Sequence, residues 1–546
     1  MKRLLLLALA AGAAAIAWYQ AGTSPRPLAQ MLPGGALVFV EAKDFSRLLS
    51  EWDSSTVKRD WLGSANYGTF ERSNLYLKLN GFYKSYAGAA GFALDMASLR
   101  SLAGDESALA LYDLQNVQFA YVTRLSGSKA AQSRLWLQRG SFQSRQAAGI
   151  TFYTKTAENV ELAFAVANGY LLVTSGEERM AGMLGLLTGE DTPNIANEGW
   201  YRNSTGAAGA PGELRLAMNL ETLVGNTYFR SYWVQRNASD VRRFLSGVTD
   251  IHRTSGEITE QRLFLKKPGL VEDLPSAEAM AAVTALAQRS PDDAGLYRVW
   301  AKPRASDAAA LLDSHILNPQ PRNETVPRFA PMEDQTGAPG SEADLETRID
   351  SPPLPKLGDP GAGAMLKLLA DTDVLAVIQV QGSKGVSQAA FLTLPCAIGL
   401  TGRVPWNADR VKQAVGGEWT TQAHGTHTIY RAAGLGQTAF AAEGPLLIVA
   451  NDSDLLQGML DRRANSTSSL NATYAAYFRH DRERGNFGRM MTALDFAGTR
   501  TDQAPPFFSG NIASLSSALR RVSGVEVIER ATADRVEQQV LYRLTP

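Results

Sequence analysis

Ala163–Leu184 reads AFAVANGYLLVTSGEERMAGML and Ala439–Leu460 reads AFAAEGPLLIVANDSDLLQGML, and the two align without a gap. Each begins with an apolar run and passes a Gly-containing turn, Asn168-Gly169 or Glu443-Gly444. A second apolar run follows, then acidic residues, Glu177 and Glu178 or Asp452 and Asp454, that open an amphipathic stretch. That order predicts a β-hairpin followed by a helix, with the carboxylates at the end where the helix dipole favours them. A second pair, Ser246–Leu265 (SGVTDIHRTSGEITEQRLFL) and Ser523–Tyr542 (SGVEVIERATADRVEQQVLY), lies at nearly the same separation. Two matches at nearly one offset predict that a single module occurs twice.

Working outward, the first copy is expected to place strands at Ala36–Glu41, Ala108–Tyr112, Val117–Leu125, Ile150–Lys155, Leu162–Ala167 and Tyr170–Ser175. The second is expected to place them at Ala294–Ala301, Val374–Val380, Ala389–Leu394, Thr426–Arg431, Gln437–Ala442 and Leu446–Asn451. Each copy closes with two further strands, Val248–Ser255 with Ile258–Lys266, and Val525–Ala531 with Arg535–Leu544. Short connections make neighbouring strands antiparallel, because a parallel crossover needs a dozen residues or more. One or two helices are expected between Tyr67 and Gly91, with nothing matching them in the second copy, and another helix from Asn407. The fold class is therefore α+β: two tandem related modules, each an antiparallel sheet with helices packed on one face. The boundaries are residues 30–268 and 276–546, joined through Lys266–Pro275. Residues 319–360 carry nine prolines and almost no aliphatic run, which predicts a flexible insertion in the second module.

At 546 residues the chain exceeds a single hydrophobic core, and its 20% charged and 45% hydrophobic content is that of a globular protein. Lys+Arg and Asp+Glu balance at 54 each, so no net field draws it to nucleic acid. Met1-Lys2-Arg3 precedes an uncharged apolar run from Leu4 to Tyr19, the layout of an export signal. Residues 1–22 are read as a signal peptide or signal anchor. Ala15-Ile16-Ala17 offers a small-residue cleavage site, whereas Trp18 and Tyr19 suit an anchor whose residues 4–19 sit in the inner membrane. Cys396 is the only cysteine, so no intrachain disulfide forms, and an exported chain of this size without one points to a bacterial periplasm or cell envelope.

The groups that could carry chemistry are few. His424-Gly425-Thr426-His427 is the one close histidine pair among five histidines, but no third ligand of the usual kind lies nearby in sequence, and a surface turn explains it. Ser126-Gly127-Ser128-Lys129 has the Ser-x-x-Lys spacing of penicillin-binding enzymes, yet the second copy has Gln381 at the serine position, and no Ser-Asp-Asn or Lys-Thr-Gly accompanies it. Glu177/Glu178 and Asp452/Asp454 stand where helices begin and read as caps. Phosphate-cradling and dinucleotide-binding glycine motifs are absent from the sequence. Aromatic clusters at Trp200/Tyr201, Tyr228–Trp233 and Tyr474–Phe478 read as core, or as part of a partner-binding groove. The sequence thus assigns no catalytic, cofactor-binding or metal residue.

Leu32-Pro33-Gly34-Gly35-Ala36-Leu37-Val38-Phe39-Val40 after the N-terminal segment, followed by Asp105–Leu125 (DESALALYDLQNVQFAYVTRL), resembles a family of bacterial envelope proteins. That family is built on a duplicated α+β domain of unknown function behind a signal or anchor. The resemblance implies an envelope address and this fold, and it carries over no catalytic residue. The expected role is a non-catalytic scaffold or binding protein whose partner is another envelope component. It would touch the membrane only through the N-terminal segment and would not bind nucleic acid. An envelope hydrolase with its site at the junction of the modules, or an extracytoplasmic ligand-binding or sensor module, are the alternatives. A broad exposed apolar surface would favour the scaffold, and converging polar groups with displaced pKa values the enzyme.

Overall fold

The hairpin-then-helix unit around Asn168 forms because both strands of the hairpin are apolar on successive residues, so each can be buried on two faces. In the computed structural model, β6 (Val160–Ala167) and β7 (Tyr170–Ser175) are almost wholly buried and joined by Asn168 and Gly169, both at positive φ. A two-residue turn with positive φ at both positions matches the right-handed twist of the strands it joins. The helix Glu177–Thr188 follows and packs on both strands. The structure describes residues 26–226, 229, 241–270, 273–317, 360–380, 395–433, 438–462, 471–485, 514 and 519–545. The expected signal or anchor at 1–22, the strand at 389–394, nearly all of the insertion at 319–360 and most of the aromatic run at 228–233 lie outside these residues.

The remaining strands are β1 (Val38–Lys43), β2 (Glu106–Asp113), β3 (Gln118–Arg124), β4 (Gln143–Ala147), β5 (Ile150–Ala157), β8 (Leu214–Met218), β9 (Phe244–Arg253) and β10 (Glu257–Lys266), then β11 (Ala294–Ala301), β12 (Thr372–Val380), β13 (Cys396–Gly402), β14 (Trp419–His424), β15 (His427–Ala432), β16 (Ala439–Glu443), β17 (Leu446–Ala450), β18 (Tyr474–Phe478), β19 (Val522–Ala531) and β20 (Arg535–Leu544). Backbone proximity divides the chain into two compact units, Met1–Arg47 with Phe82–Arg202, and Leu48–Gly81 with Asn203–Pro546. These limits cut across 30–268 and 276–546.

In the first unit the strand order is β1-β2-β3-β7-β6-β5-β4, every pair antiparallel. Its core gathers Tyr86, Ala89 and Ala90 of the helix Asn74–Ala90 with Leu125, Leu135, Phe142, Phe164, Leu171 and Val173. In the second unit the order runs β14-β15-β16-β17-β13-β12-β11-β18-β19-β20-β10-β9-β8, again antiparallel throughout. The edge strands β4 and β14 are short, polar and exposed, which discourages pairing with another chain.

The α+β class and the antiparallel sheet are as the sequence predicts, but helices flank the central strands of the second unit on both faces. Ile398, Phe440, Leu447 and Val449 pack with the helices Ala305–Leu312, Pro360–Leu369 and Ala408–Val415. Their neighbours Ala397, Ala439, Ala441 and Ile448 pack against Leu455, Leu456, Met459 and Leu460 of the helix Ser453–Asp461. Successive apolar residues on one strand require two covered faces.

Adding ten to each strand number converts β1–β2, β2–β3, β3–β7, β4–β5, β5–β6, β6–β7, β8–β9 and β9–β10 into pairings that also occur. The register is kept: Phe164 opposes Val173 as Phe440 opposes Val449, and Tyr121 opposes Val173 as Ile398 opposes Val449. Ser175 Oγ accepts the Phe119 N–H at 2.7 Å, and Asn451 Oδ1 accepts the Cys396 N–H at 2.8 Å. Gly182 and Gly458 sit at matching helix positions, where an added Cβ would come within 3.3 Å of Pro33 and 3.8 Å of Pro291 respectively. The last strands of the two series, β10 and β20, pair with each other from Glu257↔Arg543 to Leu265↔Arg535.

Candidate functional site

The Ser-x-x-Lys motif is placed at the surface. Ser126, Ser128 and Lys129 are exposed at the start of the short helix Gly127–Gln132, and Ser126 Oγ meets Ser128 Oγ at 3.3 Å instead of the lysine. A serine nucleophile needs a base within hydrogen-bond reach, and none is supplied by Lys129 here. The acidic pairs are helix caps or first-turn residues: Asp452 Oδ1 accepts the Leu455 N–H at 2.8 Å, and Glu177 lies 3.6 Å from Arg145.

His424 and His427 are the register pair nearest the β14–β15 turn, with ring centroids 6.5 Å apart. Two carboxylates distant in sequence reach them. Asp461 Oδ1 bonds His424 Nε2 at 2.8 Å, and Glu443 Oε1 bonds His427 Nδ1. Among the described residues no three His, Cys, Asp or Glu side chains converge on a single point. The two carboxylates escaped sequence reasoning because the bonds span 37 and 16 residues. Glu443, at the end of a strand aligned with one ending in Ala167, is the signal that was available.

Buried polar groups are mostly structural. Tyr112 donates to the Pro33 carbonyl at 2.8 Å and Tyr121 to the Leu102 carbonyl at 2.8 Å, and burial raises both phenols. Tyr297 is pushed up to about 12, again by burial. Raised phenols stay neutral at physiological pH and so supply no base there. Arg215 and Asp250, a register pair on β8 and β9, form a two-pronged salt bridge at 2.8 and 2.7 Å with side chains 5% and 3% exposed. The remaining carboxylate demand is met by the Gly212 N–H at 3.2 Å.

Two of the three aromatic clusters lie among the described residues, and both pack within their own units. Tyr201 meets Phe39 edge to face at 5.1 Å, and Trp200 donates to Glu198 at 2.6 Å. Tyr474–Phe478 is β18, held between β11 and β19.

A different arrangement holds between Leu48 and Gly81. The helices Thr56–Leu62 and Ala65–Phe70 turn inward on themselves: Trp61, Tyr67, Phe70 and Tyr76 form an aromatic knot with centroid separations of 5.4 to 6.5 Å. The hydrogen bond to Tyr76 helps raise Tyr67 to about 12. The segment is tied to the rest of its unit by Asp60–Arg520 at 2.8 Å, Glu51–Arg253 at 2.7 Å and the Asn66 N–H to Ser514 Oγ at 2.8 Å. With these four rings packed on one another, Trp52 and several aliphatic side chains are left outward. Of the ten large hydrophobic side chains that stand exposed among the described residues, Trp52, Val57, Leu62, Leu77 and Leu79 belong to this segment, at 41–55% exposure.

Among the described residues no helix is long and apolar enough to cross a membrane. No family model matches this chain, and no curated protein matches it. Among solved structures, crystal forms III, IV and I of TP0453 align at 11, 12 and 11% identity. They cover 48, 45 and 46% of this chain and 88, 82 and 82% of that one, with TM-scores of 0.26, 0.26 and 0.25. A likeness that slight carries no inference here.

Proposed function

We propose that this is an exported envelope protein, built from one α+β module made twice, that acts as a non-catalytic scaffold or binding protein for another envelope component. The observation that carries the reading is the apolar set Trp52, Val57, Leu62, Leu77 and Leu79, gathered on one helical segment of an otherwise ordinary surface. Scattered exposed hydrophobics need no explanation, whereas a concentration of them marks an interaction surface. Covering five side chains that are each about half exposed is worth roughly 1 kcal/mol apiece before association costs, which offsets the low end of an entropy penalty of about 4–15 kcal/mol, so polar contacts must supply the rest. What supports the address is Met1-Lys2-Arg3 followed by the apolar run to Tyr19, the layout of an export signal.

Two measurements test it. Alkaline phosphatase fused after residue 268 is active only when exported, and the fusion is expected to be active. Size-exclusion chromatography of detergent-solubilised envelopes is expected to show the wild-type chain in a larger species that a Trp52→Ser, Val57→Ser, Leu62→Ser, Leu77→Ser, Leu79→Ser variant of native circular dichroism leaves. An inactive fusion removes the address, and identical elution of the two chains removes the binding surface.

A further inference from the structure

We propose that the β14–β15 hairpin is a binding site for a divalent transition metal, with His424 and His427 as protein ligands and Asp461 and Glu443 as the groups that position them. The two imidazoles come from directly opposed residues across a turn of Gly425 and Thr426, so they lie on one face of the hairpin. Their ring planes are 23° apart and their centroids 6.5 Å apart. With metal–nitrogen bonds of about 2.0–2.1 Å, two rings sharing an ion have centroids about 5–6 Å apart, so binding requires the two rings to close by about 1 Å.

The carboxylates settle which nitrogens are available. A carboxylate can only accept, so His424 donates from Nε2 to Asp461 and His427 donates from Nδ1 to Glu443. In the neutral ring this leaves a lone pair at His424 Nδ1 and at His427 Nε2. A second carboxylate-bound nitrogen is the usual way a metal-binding imidazole is fixed in tautomer and orientation. The imidazole side chains are 25% and 23% exposed, held firmly yet open to solvent. Imidazole suits Zn²⁺, Cu²⁺ and Ni²⁺ and does not hold Ca²⁺ or Mg²⁺, and water completes the coordination.

The corresponding hairpin of the first series shows that the four groups belong together. There the register pair beside the turn is Ala147 and Ile150, the strand that matches β16 ends in Ala167, and the helix position that matches Asp461 is Gly185. Four polar groups on β14, β15, β16 and a helix end are present together in one series and absent together from the other. A solvated surface turn demands no such concerted change.

The test is isothermal titration of the untagged full chain with ZnCl₂ at pH 7.5, beside the apo melting temperature of every variant. The expected result is one Zn²⁺ per chain, lost in the His424→Ala/His427→Ala double variant and unchanged in His252→Ala. Asp461→Asn and Glu443→Gln should each weaken binding by about 10- to 100-fold while the apo melt stays at the wild-type value, which separates positioning from folding. Zinc uptake that survives in the double variant overturns the site, as does a wild-type chain that takes up no zinc up to about 100 μM.

Discussion

Phe440 stacks on Tyr430 with ring centroids 4.8 Å apart and planes 22° from parallel. Phe164 stacks on Tyr153 in the same manner, at 5.3 Å and 25°. Each buried phenylalanine also receives a third ring edge-on, Trp419 at 4.9 Å in one case and Phe142 at 5.1 Å in the other. The two triads are the centres of their respective packed cores. Phe164→Ala and Phe440→Ala should each cost about 3–5 kcal/mol, whereas Trp419→Phe, which copies the first triad, should cost under about 1.5 kcal/mol. Urea unfolding monitored by circular dichroism measures all three, and equal losses for Trp419→Phe and Phe440→Ala would show that the triads are not equivalent.

The Arg215–Asp250 pair has an apolar counterpart, since Ala475 and Ile528 oppose each other at the same place on β18 and β19. Removing one charge strands the other in a buried setting, so Asp250→Ala should destabilise by about 3–5 kcal/mol. The double variant Arg215→Ala/Asp250→Ile replaces the pair with the residues its counterpart already uses and should recover most of that loss. A double variant as unstable as Asp250→Ala would contradict this.

Two titrating groups give the stability curve opposite signs. His480 donates to the Val522 carbonyl at 3.1 Å, and burial, aided by the Arg484 charge, holds its pKa below the ordinary 6.5. The unfolded chain therefore takes up this proton first. The contribution is whole above pH 6.5 and is lost as pH falls through the lower folded value. Glu529 is the reverse: burial raises its carboxyl above the ordinary 4.5, so its contribution is whole below that value and lost as pH rises through the raised one. His480→Gln should flatten the decline in stability between about pH 6.5 and 5, and Glu529→Gln should raise stability at pH 7.5. Melting temperatures from pH 7.5 down to about 5 decide both.

The join between β10 and β20 carries hydrogen bonds on both sides of each strand, β9 beyond one and β19 beyond the other. A proline in the middle of an interior strand removes a ladder bond and its ring clashes with the neighbour. Val540→Pro should cost about 3 kcal/mol or more, whereas proline at exposed Ser144 on the edge strand β4 should be far milder.

The sequence made the interior legible and left the edges obscure, for a physical reason. β6, β7, β16 and β17 are buried on both faces, so their apolar runs and the Gly turns between them were plain. β4 and β14 are polar because they face solvent, and no periodicity announces Gln143–Ala147 or Trp419–His424 as strands. β13 is Cys396–Gly402, a run opened by Cys396 and containing Gly399, which is packed tightly against Leu286, so its strand character rests on burial instead of β-branched content. The helix from Asn407 was visible through its cap, whose side chain accepts from Asp409 and Arg410. The histidine pair was visible too, but its carboxylates come from strand and helix ends that only the fold brings near. In this part of the chain helix is expected only between Tyr67 and Gly91, and the helix Thr56–Leu62 lies before that range; which side chains of 48–81 face outward depends on the aromatic knot that only the fold assembles.

The claim that Trp52–Leu79 is the binding surface is tested most directly by photo-cross-linking in living cells. A benzophenone side chain is placed at Leu77 and, separately, at Leu137, a still more exposed leucine outside that segment. The expected result is a discrete adduct with one other envelope component at Leu77 and none at Leu137. No adduct at Leu77, or the same adducts at both positions, would contradict the account.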